Sequence, residues 1–192
     1  MRIVTKDQSK NIDKISIENY NISQNSLMTA AANGIVSHIE IYSSTKNKKP
    51  RILVICGKGN NGGDSICAAN ILLKKGYDLH VRFLNDENEI KGQSEKYYKE
   101  YLNLSNQVSF GLTFENLNGF DLLIDGIIGI GFKGILKGDL VEWVNWINSS
   151  DMYIVSVDIP SGLNADSGIV SPVAVKANCT ITFGYSKVGL YI

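Results

Sequence analysis

Short apolar segments alternate with longer segments of helical periodicity over most of the chain. Continuous apolar runs are typical of strands that are buried on both faces of a sheet, whereas apolar side chains three and four residues apart indicate a helix that packs by one face. The pattern predicts helices at residues 27–42, 64–75, 94–102 and 139–147, and strands at residues 51–56, 79–84, 120–125, 152–157 and 179–183. Strands that alternate with helices form parallel sheets covered on both faces. We therefore predict an α/β fold, a three-layer α/β/α sandwich with a mostly parallel sheet.

The N-terminal residues predict one more, shorter helix. Thr5 and Gln8 have the spacing of a capping box, in which each side chain satisfies a backbone amide at the start of a helix. Ile12 and Ile15 belong to the helix that follows. A lysine-rich connector leads to Pro50, where the next helix cannot continue. No internal repeat or change in composition divides the chain, so we expect residues 1–192 to form a single domain.

Composition and charge argue against several classes of protein. The chain has 192 residues, 44% of them hydrophobic, and its 19 basic residues balance 19 acidic ones. A net charge of zero argues against electrostatic binding to nucleic acid or a membrane surface, no apolar run is long enough to span a membrane, and no secretory signal is visible. Cys56, Cys67 and Cys179 lie in apolar segments, which indicates free thiols in a reducing compartment. We therefore expect a cytoplasmic protein.

A glycine-rich segment follows the first long apolar strand. Gly57, Gly59 and Gly62 match the spacing G-x-G-x-x-G between a strand and a helix, which lets backbone amides approach a phosphate at the start of that helix. Three polar side chains that an ordinary dinucleotide-binding turn does not need accompany it, namely Asn60, Asn61 and Asp64. The alternatives are structural, because the glycines could form a turn that only packs a helix, and Asp64 could be a helix N-cap.

Acidic and hydroxyl side chains are predicted at two further strand ends. Asp125 ends one strand and is followed by a second glycine-rich segment, residues 126–134. Asp158 follows the next strand, and Pro160 stiffens the turn that carries Ser161. Parallel sheets bind ligands beyond the carboxyl ends of their strands, so we expect these side chains to converge. Such an oxygen-rich set suits a hard cation, polar substrate groups and proton transfer, although a strand-terminal Asp also caps loops.

Three long segments resemble one known family. They are VICGKGNNGGDSICAANILLKKGY, DLLIDGIIGIGFKGIL and VSVDIPSGLNADSG, and they occur in that order at three predicted strand ends. The later segment TFGYSKVGL is similar to the family pattern TFG-x-x-K-x-G-L. On these motifs, nearly the whole chain from residue 3 to residue 190 resembles the YjeF N-terminal domain, the family of the NAD(P)H-hydrate epimerases. The resemblance implies a Rossmann-like version of the predicted sandwich.

The resemblance also implies an activity and a set of site residues. Members interconvert the R and S forms of hydrated NADH and NADPH at C6 of the nicotinamide ring. They bind a potassium ion, for which the matching residues here are Asn61, Asp125 and Ser161. Asp158 matches the family's essential carboxylate. The residues expected to contact the substrate are Asn60, Asn61, Gly62, Gly63, Asp64, Gly129, Ile130, Gly131, Phe132, Lys133, Gly134, Ile135 and Asp158.

Expectations about partners follow from the same resemblance. Epimerisation allows an ADP- or ATP-dependent dehydratase that is specific for the S form to repair the whole hydrated pool. Family members suggest a homodimer, and neither nucleic acid nor a membrane is an expected partner. Members usually continue through one more strand, so we expect that this chain lacks its last strand or is followed by a dehydratase domain.

The chain departs from the family pattern at two places. Residues 29–32 read Thr-Ala-Ala-Ala where many members have Glu-Asn-Ala-Gly, and Ile130 stands where the second loop often has Thr. These differences leave open a non-catalytic member that acts as a nucleotide-binding or scaffolding module, whereas retention of the four residues Asn61, Asp125, Asp158 and Ser161 favours the enzyme. A conventional NAD-dependent oxidoreductase is disfavoured, because no catalytic His or Tyr-x-x-x-Lys pair accompanies the glycine motif.

Overall fold

The computed structural model describes residues 2–114, 117–132, 134–170 and 172–192. Its helices are α1 (Lys6–Tyr20), α2 (Gln24–Ser44), α3 (Asn60–Lys74), α4 (Gly92–Leu104) and α5 (Asp139–Ser149). Its strands are β1 (Ile3–Val4), β2 (Ile52–Cys56), β3 (Leu79–Phe83), β4 (Val108–Phe110), β5 (Leu122–Gly126), β6 (Tyr153–Val157), β7 (Cys179–Ile181) and β8 (Ser186–Lys187). Single turns of 3-10 helix lie at Glu87–Glu89 and Val188–Leu190. Lys133, one of the residues expected to contact substrate, lies outside the described residues.

Six strands form one sheet in the order β4-β3-β2-β5-β6-β7, and all neighbouring pairs run parallel. The chain proceeds outward from β2 through β3 to β4, and then returns to the other side of β2 to build β5, β6 and β7. This is the doubly wound order, and its direction reverses between β2 and β5. The predicted α/β sandwich with a parallel sheet is confirmed, and ligands of such folds bind at the carboxyl ends of the strands that flank this reversal.

Helices cover both faces of the six-stranded sheet. Along β2, Ile52 and Val54 pack into a core shared with α2, α3 and α4, whereas Leu53 and Ile55 pack into a second core centred on Trp143 of α5. This alternation follows from the period of two in a strand, whose successive side chains point to opposite faces. Because both faces are buried, β2 reads as an unbroken apolar run in the sequence, as predicted.

Three short strands and the start of one helix differ from the sequence-based expectation. The strands β1, β4 and β8 were not predicted, because strands of two or three residues leave little hydrophobic signal. The helix α3 begins at Asn60, four residues before the predicted start at Asp64. The N-cap of α3 is therefore Gly59, and the alternative in which Asp64 is the N-cap is wrong.

The N-terminal segment is attached to the rest of the molecule at few points. The predicted capping box is present, since Gln8 N donates to Thr5 Oγ1 (3.2 Å) and Thr5 N donates to Gln8 Oε1 (2.9 Å). The helix α1 has no buried residue. It is fixed by the Lys6 amide, which donates to Asp166 Oδ1 (2.6 Å), and by β1, which pairs in parallel with β8. This pairing places α1 close to the chain that carries Lys187.

The cysteines are free thiols, as the sequence predicts. Cys56 and Cys67 are buried and Cys179 is partly buried, and none of them forms a disulfide. Burial raises the pKa of the Cys67 thiol to about 11, so this group stays protonated and packs as a small apolar side chain. No helix in the described part of the chain is long and apolar enough to cross a membrane.

Candidate functional site

The residues expected at the strand ends meet at the carboxyl edge of β2, β5 and β6. Sheet register pairs Cys56, the last residue of β2, with Gly126 of β5, and it pairs Asp125 with Ser156 of β6. Asp158 follows the last residue of β6 directly. A cleft of about 690 Å³ lies elsewhere, at the opposite edge of the sheet, and none of the predicted site residues lines it. The candidate site is therefore the carboxyl edge of the sheet, where the predicted residues meet.

The glycine segment brings β2 into close contact with the start of α3. A Cβ on Gly57 would lie 2.1 Å from the carbonyl oxygen of Ile127, and one on Gly62 would lie 1.9 Å from the carbonyl oxygen of Gly57. The first helical hydrogen bond of α3 runs from Gly63 N to Gly59 O (3.0 Å). The amides of residues 60–62 are therefore not used by the helix, and they give its N-terminus a partial positive charge that favours an anion.

Asn61 is buried beside the second glycine segment. Its side chain is packed against Gly129, where an added Cβ would lie 3.0 Å from Asn61 Oδ1. The backbone oxygen of Asn61 accepts a hydrogen bond from Ser65 Oγ (2.8 Å). Its side-chain Nδ2 is buried and has no hydrogen-bond partner among the described residues. Buried polar atoms are nearly always paired in native proteins, so this amide indicates a place for a polar ligand.

Asp125 lies at the centre of a buried hydrogen-bond network. Its Oδ2 accepts from Ser156 Oγ (2.7 Å) and Ser161 N (3.0 Å), and its Oδ1 accepts from Ser161 Oγ (2.5 Å) and Ile127 N (3.3 Å). Burial raises the pKa of the Asp125 carboxyl, and the hydrogen bonds from Ser161, Ser156 and Ile127 oppose that rise. Asp125 thus connects the ends of β5 and β6 by hydrogen bonds, as expected for a strand-terminal Asp that caps a loop.

Ser161 extends this network into the second glycine segment. Its hydroxyl oxygen accepts from Ile128 N (2.9 Å) and lies 3.2 Å from Ile128 O. The segment then turns through a hydrogen bond from Phe132 N to Gly129 O (3.1 Å). Ile130 and Phe132 are partly buried, while Gly131, Gly134 and Ile135 are exposed. Among the described residues of the predicted substrate loop, Gly129 is the one whose added Cβ would meet Asn61.

Asp158 occupies a backbone conformation that side chains rarely adopt. Its φ is +63°, and Ile159 N donates to Val157 O (2.7 Å), which closes a three-residue turn around it. A non-glycine residue in this region costs on the order of 1–3 kcal/mol and persists only when its surroundings impose it. Here the carboxylate provides part of that constraint, because Asp158 Oδ1 accepts from Lys187 Nζ (2.5 Å) and Phe183 N (3.2 Å).

Lys187 is a site residue that the sequence analysis missed. It lies on β8, and its side chain is only 1% exposed. It appears in the segment TFGYSKVGL, whose match to the family pattern includes this lysine, so the motif held the signal. Composition alone could not separate it from the other lysines of the chain.

Two further carboxyl groups lie near Asp158. Burial raises the pKa of Asp64 well above its ordinary value, and the negative charges of Asp158 and Asp13 raise it further. Burial also raises the pKa of Asp13, which lies on α1; Lys187 lowers it and Asp158 raises it. The structure thus brings Asp64 beside Asp158, as predicted, and adds Asp13 from a helix that the sequence analysis did not connect with the site.

Comparisons with known proteins agree with this geometry. Residues 24–189 match the family described as YjeF-related protein N-terminus. An NAD(P)H-hydrate epimerase from Limosilactobacillus reuteri (strain ATCC 55730 / SD2112) is 35% identical over 189 residues, which cover 98% of this chain and 87% of that protein. A bifunctional NAD(P)H-hydrate repair enzyme Nnr from Moorella thermoacetica is 33% identical over 199 residues, which cover all of this chain and 38% of that enzyme.

A solved structure supports the fold independently. A crystal structure of the yeast protein ynu0, YNL200c, aligns with a TM-score of 0.88 and covers 99% of this chain and 83% of its own, at 21% sequence identity. The family match spans most of the chain, and the bacterial relatives cover nearly all of it at about a third identity. This chain therefore belongs to the family of the YjeF-related protein N-terminus.

Proposed function

We propose that this chain is an isomerase that interconverts the R and S forms of hydrated NADH and NADPH. The relatives named NAD(P)H-hydrate epimerase support the reaction, and one observation at the site carries it. That observation is the Asp158 carboxylate, which is held in a strained turn at the end of β6 and lies close enough to Asp64 of α3 to raise the pKa of that carboxyl. A carboxylate so placed is suited to exchange a proton with a bound ring.

The glycine segment is the proposed site for the pyrophosphate of the substrate. The amides at residues 60–62, which donate no hydrogen bond within α3, and the absence of Cβ atoms at Gly57 and Gly62 allow a phosphate to approach the backbone closely. The segment 129–135 and Asp64 would contact the rest of the nucleotide. This arrangement orients the nicotinamide ring toward Asp158, which acts as the general acid and base at the hydrated carbon.

A potassium ion is the proposed cofactor, with Asn61, Asp125 and Ser161 as its protein ligands. The residues can fit such an ion through oxygen atoms: Asp125 and Ser161 are in direct contact, and the set carries a single ionisable carboxyl. The buried Asn61 amide nitrogen is held by no hydrogen bond in the described part of the chain, so this amide can turn its oxygen toward the ion. Oxygen ligands of this kind suit hard cations, whereas softer transition metals prefer nitrogen and sulfur. The ion would order three loops that meet there.

Thermal unfolding tests the potassium proposal without reference to activity. At equal ionic strength, we expect the unfolding midpoint of the wild-type protein to be higher in KCl than in choline chloride, because an ion that binds only the folded state stabilises it. Ser161→Ala, which removes a hydroxyl from the ligand set, should abolish this difference. Equal midpoints of the wild-type protein in the two salts would rule out the ion.

The proposed partner is an S-specific dehydratase that uses ADP or ATP. The Moorella thermoacetica relative is named a bifunctional NAD(P)H-hydrate repair enzyme. Its name supports the coupling of epimerase and dehydratase activities. We propose that the chain acts in the cytoplasm, where the nicotinamide nucleotides are used, and that it assembles as a homodimer. Analytical ultracentrifugation at micromolar concentration measures the second of these points directly.

A coupled assay tests the proposed reaction. Equal amounts of R and S hydrates of NADH are mixed with the dehydratase and its nucleotide in potassium buffer, and NADH absorbance is followed. The dehydratase alone should stop with the R half unrepaired, and added wild-type protein should restart the reaction and bring it to completion. A plateau that stays at half recovery with folded protein would reject the epimerase and favour the non-catalytic binding module.

A further inference from the structure

Lys187 is a charged side chain that is almost completely buried, and its hydrogen-bonding capacity is filled. Its Nζ donates to Asp158 Oδ1 (2.5 Å), Phe183 O (2.9 Å) and Thr182 Oγ1 (3.2 Å). An ammonium group has three donors, so each is matched by one acceptor. Burying a lysine costs free energy unless its ammonium group is paired in this way. Lys187 is therefore part of the buried structure of the site and is not a solvated surface charge.

The two oxygens of the Asp158 carboxylate have different surroundings. Oδ1 accepts from Lys187 Nζ, from Phe183 N (3.2 Å) and from Thr182 Oγ1 (3.4 Å). Oδ2 receives no hydrogen bond from any part of the chain that the structure describes, and the side chain is 11% exposed. Rotation of the carboxylate would break the three hydrogen bonds to Oδ1. The group is therefore held with Oδ2 as the oxygen that a ligand can contact.

The charges around Asp158 come from three elements. Lys187 on β8 is positive, while Asp64 on α3 and Asp13 on α1 carry carboxyl groups whose pKa values burial and the negative charge of Asp158 raise. Without the ammonium, three carboxyl groups would face one another across a partly buried space. Lys187 therefore supplies a positive charge in direct contact with the Asp158 carboxylate.

We infer that Lys187 is a positioning residue for Asp158: its ammonium fixes the carboxylate through Oδ1 and leaves Oδ2 to exchange the proton with the hydrated nicotinamide ring. This inference rests on the proposed epimerase function, because it assigns a reaction to Oδ2. Lys187 does not touch the substrate in this arrangement. Its effect on the reaction is exerted wholly through Asp158.

Substitution of Lys187 separates positioning from binding. For Lys187→Met we expect kcat to fall about 100-fold, the lower end of what a placed proton-transfer group contributes, with KM changed less than about threefold. Lys74→Met is the matched control, since Lys74 also pairs with a carboxylate at 2.7 Å but is 54% exposed. A loss that appears wholly in KM would overturn the inference.

A double-mutant cycle tests whether Lys187 acts through Asp158. Asp158→Asn and the double variant Asp158→Asn/Lys187→Met should have the same residual rate, because the ammonium has no further role once the carboxylate is gone. Losses that multiply would show an independent action of Lys187 and reject the inference. Circular dichroism of each variant establishes that the fold is retained.

A measurement without substrate keeps the inference testable if Lys187→Met does not fold. Nitrogen-15 NMR of the wild-type protein should reveal one slowly exchanging lysine ammonium, because Lys187 is shielded from water and fully hydrogen-bonded. In Asp158→Asn this signal should shift or be lost to exchange, and Lys74→Met should leave it unchanged. Absence of such a signal in the wild-type protein would show that the contact does not form.

The two proposals fail in distinguishable ways. If the wild-type protein leaves the R hydrate unrepaired while the ammonium signal depends on Asp158, the epimerase function is rejected and the Lys187–Asp158 contact stands without its reaction. If the wild-type protein is active and Lys187→Met retains its kcat, the positioning role is rejected and the function stands.

Discussion

Polar side chains at the strand ends combine structural contacts with their proposed chemistry. Ser161 donates to Asp125 and also accepts from the Ile128 amide, so one hydroxyl fixes the loop after β5 to the turn after β6. Asp158 likewise accepts hydrogen bonds from the Phe183 amide and the Lys187 ammonium, and it thereby fixes the segment that follows β7. Because the same side chains stabilise the fold and take part in the proposed reaction, the stability of each site variant should be measured together with its activity.

Asp158→Asn should separate the two uses of that residue. The amide oxygen can still accept hydrogen bonds at the position of Oδ1, so we expect the chain to stay folded, whereas the rate of epimerisation should fall by about 100-fold or more because the proton acceptor is lost. The coupled NADH assay measures the rate, and chemical denaturation measures stability. Asp151→Asn, at an exposed position, is the control. Wild-type rates in Asp158→Asn would contradict the assignment.

Asp64 should make stability depend on pH in a defined direction. Burial raises its pKa in the folded state, so the folded protein keeps this proton at a pH where the unfolded chain has released it. The stability from this group is present below its unfolded pKa of about 3.9 and is lost as pH rises through the folded value.

The test compares Asp64→Asn, which does not titrate, with the wild-type protein by urea denaturation. The free energy of unfolding of Asp64→Asn, relative to the wild-type protein, should rise between about pH 4 and neutral pH, because only the wild-type carboxyl must ionise in a buried place. Asp151→Asn should show no such trend. A difference that is constant across this range would mean that Asp64 ionises freely.

At the scale of single elements, the junction between β2 and α3 is the most closely packed part of the site. Sequence spacing identified its glycines, but it placed the helix start at Asp64, whereas the helix begins at Asn60. The reason is that Gly62 and Gly63 have low helix propensity. Close packing of this turn against Gly57, Met28 and Ser94 makes the helix favourable there. Tertiary packing thus overrides the local preference.

Gly62→Ala should damage this junction. The added Cβ would lie 1.9 Å from the carbonyl oxygen of Gly57, a backbone atom that cannot move alone. We expect the free energy of unfolding to fall by about 1–3 kcal/mol, as for other overpacked sites, and binding of hydrated NADH to weaken. Gly131→Ala is the stability control, since nothing lies within 4 Å of its added Cβ. Equal stability of the two variants would contradict the close packing.

At the scale of the whole molecule, the six-stranded sheet separates two apolar cores that are covered by different numbers of helices. One is covered by α2, α3 and α4, and the other is covered chiefly by α5, so the second face depends on few large side chains. Trp143 is fully buried there and donates from Nε1 to Leu112 O (3.2 Å). The neighbouring Trp146 is only partly buried and packs against that core.

Trp143→Ala should therefore destabilise the molecule strongly. We expect a loss of about 3–5 kcal/mol in the free energy of unfolding, because a large cavity replaces the ring at the centre of the core. Trp146→Ala on the same helix is the matched control and should cost clearly less. Guanidinium denaturation followed by circular dichroism measures both. Similar losses in the two variants would show that α5 does not pack by the face that carries Trp143.

The sequence by itself determined the layers of the fold and most of the site residues, because both leave local signals. Unbroken apolar runs marked the buried strands, and glycine, Asn and Asp at strand ends marked the carboxyl edge of the sheet. The tertiary structure decided what has no local signal: β4 at the edge, the early start of α3, and the meeting of Asp13 and Lys187 with Asp158. Those two residues lie far from Asp158 along the chain, and only the pairing of β1 with β8 and the return of the chain after β7 bring their charges to one place.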